Sequence, residues 1–247
     1  MSILKNIPIS YQGELNDVKL IQFSVEIDEI KELLPKPLTA YQHQGRALIS
    51  MVNVNLKKMR PQGVPPALGF SYQHVAFRLV LDDAHLHAAQ QPKGIYFLRS
   101  FTCKHLLARA GQLMTDYNLT HGALSDTGFA FELEQGEKFL HYAIEDRRPE
   151  DADSPLQQLI GGIDRAYCVR QNQPFVTQVL RKHWPIRPIT CYHFETNFFK
   201  TARLEGAFAI DTPILYCWKA PEKIDWNATP SAIKTTNNGT FRAAYPH

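Results

Sequence analysis

The chain has 247 residues, of which 44% are hydrophobic and 21% are charged, and this composition excludes the disordered and collagen-like classes of protein. Lysine and arginine number 27 against 24 aspartate and glutamate, so the net charge of +3 reflects a small imbalance and not a basic surface. Nucleic-acid binders carry clustered basic residues, and we therefore expect no nucleic-acid partner. No window approaches the ~18 apolar residues of a membrane span, so we expect a cytoplasmic protein without a membrane partner.

Alternation of apolar and polar residues predicts strands along most of the chain. The predicted strands are residues 48–56, 75–81, 95–101, 129–133, 139–144, 175–180, 189–199 and 214–218. The fourth and fifth of these flank Gln135-Gly136-Glu137 and predict a hairpin. Strands at this density, without a linker-like break, predict a mainly β (α+β) barrel or sandwich that forms a single domain over residues 1–247.

Helices are expected at three places. A short helix over residues 28–34, capped by Asp28, should end there because the next residue is proline. A second is expected from a cap at Thr102 to Met114. The side chains predicted on its buried face are Leu106, Ala110 and Leu113. Ser154-Pro155 suits the start of a third helix, after a polar segment at 146–154 that predicts a long loop.

The short signatures of dinucleotide, nucleoside triphosphate, serine hydrolase and zinc-helix sites do not occur in the sequence. The four cysteines, Cys103, Cys168, Cys191 and Cys217, form no CxxC pair and are expected to be free thiols. We therefore expect no metal and no cofactor. Functional residues have to be sought among polar side chains that alternate onto the inner face of a strand.

His74 and Arg78 form the first such set. They lie on one face of the predicted strand 75–81, about 13 Å apart along it. Facing a cavity, an imidazole and a guanidinium would hold a carboxylate-like ligand, since arginine presents a planar fork of donors. The alternative is that the opposite, apolar face is the buried one and that both residues lie in water.

Two further polar sets have simpler interpretations. Cys191, His193, Glu195 and Asn197 share one face of strand 189–199, opposite an aromatic face. They would form either a cavity wall with a general acid or base, or the solvated side of a half-buried strand, and the solvated side is favoured. The segment Asp82 to His87 contains two carboxylates and two histidines, and its composition favours an exposed hairpin loop over a metal site.

Several short segments occur in a specific order between Leu38 and about Trp226. They are Gly45-Arg46-Ala47, Met59 to Pro65, Ser71 to Arg78, Gly94 to Leu98, Ala108-Arg109, Asp164-Arg165 and His183 to Ile186. In this order they resemble an uncharacterised bacterial family that belongs with the acetoacetate decarboxylase-like barrels. The resemblance implies a curved antiparallel sheet closed into a barrel around a ligand cavity, with a few helices outside. In such a barrel His74 and Arg78 line the cavity.

The resemblance does not extend to the catalytic lysine. The decarboxylases use a lysine that forms a Schiff base with a keto acid. On this chain the arginine of their motif matches Arg109, but the two lysines fall at Asp116 and Tyr117, and aspartate cannot condense with a carbonyl. The nearest lysine in sequence, Lys104, is expected to be solvated, because lysine is almost never buried unpaired. Asp116 and Tyr117 would instead form a proton-transfer pair in the cavity.

The sequence therefore supports one main hypothesis. The chain is a small-molecule binding barrel, or an enzyme without a Schiff-base lysine. Its anionic or carbonyl ligand would contact a set of five residues. These are His74, Arg78, Arg109, Asp116 and Tyr117.

Two alternatives stay open. The first is a lyase or hydratase of the decarboxylase type, with a relocated lysine. The second is a barrel packed solid whose partner is protein, through self-association into a homo-oligomer. In either case Arg109 has the alternative of a purely structural role, pinning its helix to the barrel.

Overall fold

Strands dominate the computed structural model, which describes residues 9–87, 90–147, 155–181 and 184–228. The strands are β1 (Tyr11–Val25), β2 (Gln42–His43), β3 (Arg46–Pro61), β4 (Phe70–Val80), β5 (Gly94–Thr102), β6 (Leu119–His121), β7 (Ala123–Asp126), β8 (Ala130–Gln135), β9 (Lys138–Glu145), β10 (Arg165–Arg170), β11 (Gln173–Arg181), β12 (Arg187–Thr196), β13 (Arg203–Ile210), β14 (Ile214–Trp218) and β15 (Glu222–Lys223). The helices are α1 (Ile27–Ile30), α2 (His105–Met114) and α3 (Pro155–Gly162). None of these three helices is long and apolar enough to cross a membrane.

Seven strands close into a barrel. Around the ring the order is β1, β3, β4, β5, β10, β11 and β14, and β14 pairs with β1 to complete the closure. Neighbours in the ring are antiparallel except β5 and β10, which pair in parallel with Ile95 opposite Ala166. Parallel pairing needs a long crossover, and the chain from α2 to α3 provides it. The predicted mainly β (α+β) barrel is confirmed, with this parallel pair as a departure from the expected antiparallel ring.

The 15-residue strand β1 joins two layers. Residues 11–15 pair with β14 inside the ring, while residues 18–24 pair with β13 outside it. The sheet continues from β13 through β12, β9, β8 and β7, which form an outer layer over the barrel wall. The sequence analysis missed β1 because both of its faces are covered, so that even Gln22 and Ser24 are fully buried and the alternation is lost.

Two apolar cores lie on opposite sides of the barrel wall, and β4 separates them. Its odd-numbered residues from Val75 to Leu79 belong to the core between the barrel and the outer layer. Ala76 and Val80 belong to the core inside the barrel. Because both faces of β4 are covered, His74 and Arg78 on its inner face point into the barrel. The alternative in which they lie in water is wrong.

The predicted hairpin is confirmed as β8 and β9, with Gln135 opposite Lys138. Gly136 in its turn has a φ of 61°, a left-handed conformation that glycine adopts without a steric penalty. The expected alternation of β12 is broken by a bulge between Cys191 and His193. The bulge leaves Tyr192 66% exposed, so the expected burial of its ring is wrong.

The helices differ from the predictions at their starts. In α1 the N-cap position is Glu26, and Asp28 lies inside the first turn. Helix α2 begins at His105, because Thr102 is still the last residue of β5. Its predicted buried face is wrong at Leu106, which is 81% exposed, whereas Ala108 is buried.

Helix α3 begins at Pro155, as predicted, and packs its apolar face against the core inside the barrel. Some predictions fall outside the residues that the structure describes. These are the loop residues 148–154, which include the predicted helix cap Ser154, and the family landmark His183; the side chain of Leu113 is likewise not described.

The segment from Asp82 to His87 is exposed at Asp82 and His85, as expected for a loop, but Asp83 and Leu86 anchor it in the interior. Asp83 is fully buried and accepts hydrogen bonds of 2.8 Å from the Tyr167 hydroxyl and the Lys93 amide. Within the same segment Leu86 is buried in the core under the outer layer. Sequence composition missed this because the partners of Asp83 come from β10 and from the residue before β5.

Candidate functional site

The barrel is hollow, with a central cavity of about 100 Å³. Most of the cavity wall is formed by aliphatic and aromatic side chains of the ring strands and α3. The wall also contains nine side chains with nitrogen or oxygen atoms: Tyr72, His74, Arg78, Tyr117, Arg165, Arg181, Trp184, Tyr216 and Trp218. No aspartate or glutamate among the described residues lines it. The cavity therefore combines an apolar wall with three guanidinium groups.

Arg78 is held at the wall by its neighbour strand. Its Nε donates to the carbonyl oxygen of Ser50 at 3.1 Å, and its Nη2 donates to the Ser50 hydroxyl at 2.7 Å. Within the described residues no hydrogen bond uses Nη1, and no carboxylate pairs with this side chain. Burial, together with the charge of Arg181, lowers the pKa of Arg78 to about 9. The two cations thus disfavour each other.

Arg181, at the end of β11, is held by α3 and the residue that follows it closely in the chain, Ile163. Its Nη2 donates to the carbonyl oxygens of Gly161 and Ile163, and its guanidinium lies 4.4 Å from the centre of the Trp184 ring. Burial lowers the pKa of Arg181, and the charge of Asp164 opposes that shift. The third cation, Arg165, is already neutralised, because its Nε donates to Asp164 at 2.7 Å. Arg78 and Arg181 therefore carry the uncompensated charge.

His74 is buried in an aromatic surrounding. Its ring centre lies 5.9 Å from Tyr72, 6.2 Å from Tyr117 and 6.5 Å from Phe97. Its Nε2 is buried without a hydrogen-bond partner in the described residues. Burial, followed by the charge of Arg78, lowers the pKa of His74 to about 3. His74 is therefore a neutral imidazole at physiological pH, with one nitrogen left unsatisfied beside the cavity.

Asp116 and Tyr117 are adjacent in sequence but face different surroundings. Asp116 accepts hydrogen bonds from Arg170 and lines a second, smaller cavity of about 50 Å³. Tyr117 lines both that cavity and the central one, and burial raises its pKa well above the usual range. The structure therefore places His74, Arg78 and Tyr117 together and separates them from Asp116. An Asp116–Tyr117 proton-transfer pair inside the central cavity is not formed.

Arg109 does not line the central cavity. It is exposed on α2, because the face of the helix that packs inward carries Ala108 and Gly111. Gly111 lies so close to β6 that a methyl group there would come within 2.6 Å of Leu119. The expectation that the Arg109 guanidinium turns into the barrel is wrong. Arg109 matches the decarboxylase arginine in sequence order only, and its side chain does not point into the cavity.

No lysine in the described residues lines the central cavity. Lys104, the nearest lysine to the matched motif, is exposed and donates from Nζ to the backbone carbonyl of Ser71. The sequence analysis missed Arg181 and Trp184. Arg181 follows Val179 at a spacing of two along β11, and the predicted strand ended one residue too early to include it. No local pattern marks Trp184, which follows the strand.

Comparisons with known proteins agree with this architecture. Residues 12–221 match the family DUF2071, described as an uncharacterised conserved protein. A comparison with proteins of curated function finds no significant match.

Three solved structures illustrate the likeness of fold. An acetoacetate decarboxylase-like enzyme from Sphingomonas wittichii RW1 is 9% identical with a TM-score of 0.60, and the match covers 90% of this chain and 94% of that one. The enduracididine biosynthesis enzyme MppR, solved with a condensation product of pyruvate and imidazole 4-carboxaldehyde, is 11% identical with a TM-score of 0.56 and coverage of 90% and 91%. Acetoacetate decarboxylase from Legionella pneumophila is 10% identical with a TM-score of 0.56 and coverage of 87% on both chains. The chain belongs to the DUF2071 family and has the barrel fold of the acetoacetate decarboxylase-like proteins.

Proposed function

We propose that the central cavity binds a small organic anion through its carboxylate, with Arg78 and Arg181 as the groups that recognise the charge. The observation that carries this proposal is the pairing of two guanidinium groups in a mostly apolar cavity whose described lining contains no acidic side chain. Burying such charges without partners is costly. A bound carboxylate would offset that cost, because it accepts charge-assisted hydrogen bonds from the arginine fork.

His74 would contribute a neutral hydrogen bond to the same ligand. Arg78 lies four residues after His74 on the same face of β4. The Nε2 of His74 and the Nη1 of Arg78, both without a hydrogen-bond partner in the described residues, therefore belong to one face of the strand. A neutral imidazole offers one donor and one acceptor nitrogen, so it can contact either the carboxylate or an adjacent carbonyl of the ligand. This arrangement favours anionic ligands, including those that also contain a carbonyl group.

The related structures support a ligand of this class. MppR, whose fold this chain shares at 11% identity, is solved with pyruvate, a small keto acid. Any reaction in the cavity would proceed without a Schiff base, since the described lining offers no lysine to form one. The alternative of a lyase with a relocated lysine requires an amine that reaches the cavity from elsewhere in the chain.

Isothermal titration with pyruvate and butanoate, on wild type and on Arg78→Met, tests the proposal. We expect binding by wild type and an affinity that is lower by about tenfold to a hundredfold in Arg78→Met, the range for charge-assisted hydrogen bonds. Arg109→Met is the matched control, because it removes an equal charge from an exposed site. Equal loss in both variants, or no binding of either anion, would overturn the proposal.

Borohydride reduction in the presence of pyruvate separates binding from the lyase alternative. A Schiff base would be trapped as a stable mass increase on one lysine. We expect no added mass on the intact protein. An adduct on any lysine would establish the alternative and would identify the residue by peptide mapping.

A further inference from the structure

We propose that the anion bound in the central cavity carries an extended apolar tail, and that this tail occupies a third cavity, between α2 and the adjoining ends of β3 and β4. The inference rests on the proposed carboxylate site and names the class of its ligand, an amphipathic monocarboxylate such as an acyl-chain acid. It follows from the third cavity, from the partition between the two cavities and from the order of residues along β4.

The third cavity lies between α2 and the strands β3 and β4, and its volume of about 170 Å³ exceeds that of the central cavity. Its described wall contains no charged side chain and consists of aliphatic and aromatic groups with one threonine. Leu107, Ala110 and Gly111 of α2 form one side of it. An uncharged cavity of this size suits hydrocarbon, because each methylene that leaves water contributes about 0.8 kcal/mol, which is about fourfold in affinity.

Three side chains form the partition between this cavity and the central one. Met59, Tyr72 and Tyr117 line both cavities, so the two spaces are separated by a single layer of side chains. Methionine is unbranched and adapts its shape readily. A shift of the Met59 side chain would therefore join the cavities without moving a strand.

The inner face of β4 runs through both spaces in order of increasing polarity. Phe70 lines the third cavity at its exposed end, Tyr72 stands in the partition, and His74 and Arg78 line the central cavity. The first three rings follow one another, with centres 5.8 Å apart between Phe70 and Tyr72 and 5.9 Å between Tyr72 and His74. From Phe70 to Arg78 the strand spans about 26 Å. This gradient matches a molecule with a long apolar tail and a carboxylate at its inner end.

The surface around the third cavity is apolar as well. Phe70 is 41% exposed, and Leu68 and Leu106 are 72% and 81% exposed. Phe70 begins β4 and lines the cavity, Leu68 lies on the β3–β4 connection just before it, and Leu106 precedes the lining residue Leu107 on α2. Exposed hydrophobic side chains next to the lining residues are consistent with a route for an apolar group.

Titration with butanoate, octanoate and dodecanoate tests the inference. We expect affinity to rise at least tenfold from butanoate to octanoate and to rise again for dodecanoate. Ala110→Trp should fill the third cavity and abolish the gain of dodecanoate over butanoate, while butanoate binds as in wild type, which also shows that the variant is folded. Arg109→Trp is the matched control, since it places the same ring on the exposed face of α2.

The outcomes separate this inference from the function on which it rests. Binding of butanoate that depends on Arg78, without any gain for the longer acids, would overturn the inference and leave the carboxylate site standing. A gain that survives in Ala110→Trp would also overturn it, because the tail would then lie elsewhere. Tight binding of dodecanoate that is unaffected by Arg78→Met would contradict both proposals, because the carboxylate would then play no part.

Discussion

Arg78 and Arg181 reach the same cavity from opposite sides of the barrel, and the charge of Arg181 lowers the pKa of Arg78. Arg78 is held by Ser50 and Arg181 by two backbone carbonyls, so neither is neutralised by a carboxylate within the described residues. A protein gains no stability from holding two like charges in an apolar space. The arrangement supports the proposed ligand, which would supply the missing negative charge.

Removing the Arg78 charge should stabilise the empty protein. A buried cation replaced by a hydrophobic side chain of similar length relieves desolvation and repulsion, so we expect Arg78→Met to raise the free energy of unfolding by about 1 kcal/mol. Urea denaturation at pH 7 measures this free energy. The control Arg109→Met is expected to change the free energy of unfolding by less than about 0.5 kcal/mol. A fall of more than 1 kcal/mol in Arg78→Met would show that its bonds to Ser50 outweigh the repulsion.

Ligand affinity should depend on pH in one direction. Between pH 6 and 8 the ligand carboxylate is ionised, His74 is neutral and Arg78 is charged, so the affinity for octanoate should be constant. As pH rises through about 9, Arg78 begins to lose its proton and affinity should fall. Titration calorimetry from pH 6 to 10 measures this profile. A profile that instead falls between pH 6 and 7 would point to a protonated histidine as the anion contact.

His74 should make the protein sensitive to acid. Its pKa is about 3 in the folded state and near 6.5 when unfolded, so below pH 6.5 the unfolded chain takes up a proton that the folded chain does not. The stability of the fold is therefore lost progressively as pH falls from 6.5 towards 3, by about 2 kcal/mol at pH 5.

The variant His74→Phe should lose that part of the acid sensitivity. We expect the difference in unfolding free energy between pH 8 and pH 5 to be about 2 kcal/mol smaller in the variant than in wild type. His193→Phe serves as the control, because it makes the same change of side chain at an exposed position. Identical pH dependence of His74→Phe and wild type would mean that His74 is protonated in the folded protein.

Gly94 should be intolerant of any side chain. A methyl group at this position would lie 2.5 Å from Oδ2 of Asp83 and closer still to the Tyr167 ring, so it would break the buried hydrogen bond between them. We expect Gly94→Ala to cost about 2–4 kcal/mol of unfolding free energy, since a buried carboxylate would lose its hydrogen bond from Tyr167 and the ring would have to move. Gly162→Ala is the control, because a methyl group there meets nothing within 4 Å. Thermal denaturation of both variants distinguishes crowding from a general effect of replacing glycine.

The sequence by itself determined the strand-rich class and which residues of β4 share a face. Strict alternation along residues 75–81 was enough to place His74 and Arg78 on one side of the strand, because side-chain direction in a strand has a period of two whatever surrounds it. Alternation does not specify which side of a strand is covered by the rest of the protein. In this barrel both sides of β4 are covered. The strand β1 was not predicted because it too is covered on both sides.

Only the tertiary structure decided which groups meet. Arg181 and Trp184 reach Arg78 across the barrel through strand pairing over long sequence separations, and no local pattern encodes that distance. Arg109 shows that a match in sequence order does not place a side chain in a cavity. The packing of Ala108 and Gly111 sets the rotation of α2 and leaves Arg109 on its exposed face. Local geometry thus follows from the order of residues, whereas the charge and shape of the cavity arise from contacts formed only when the ring closes.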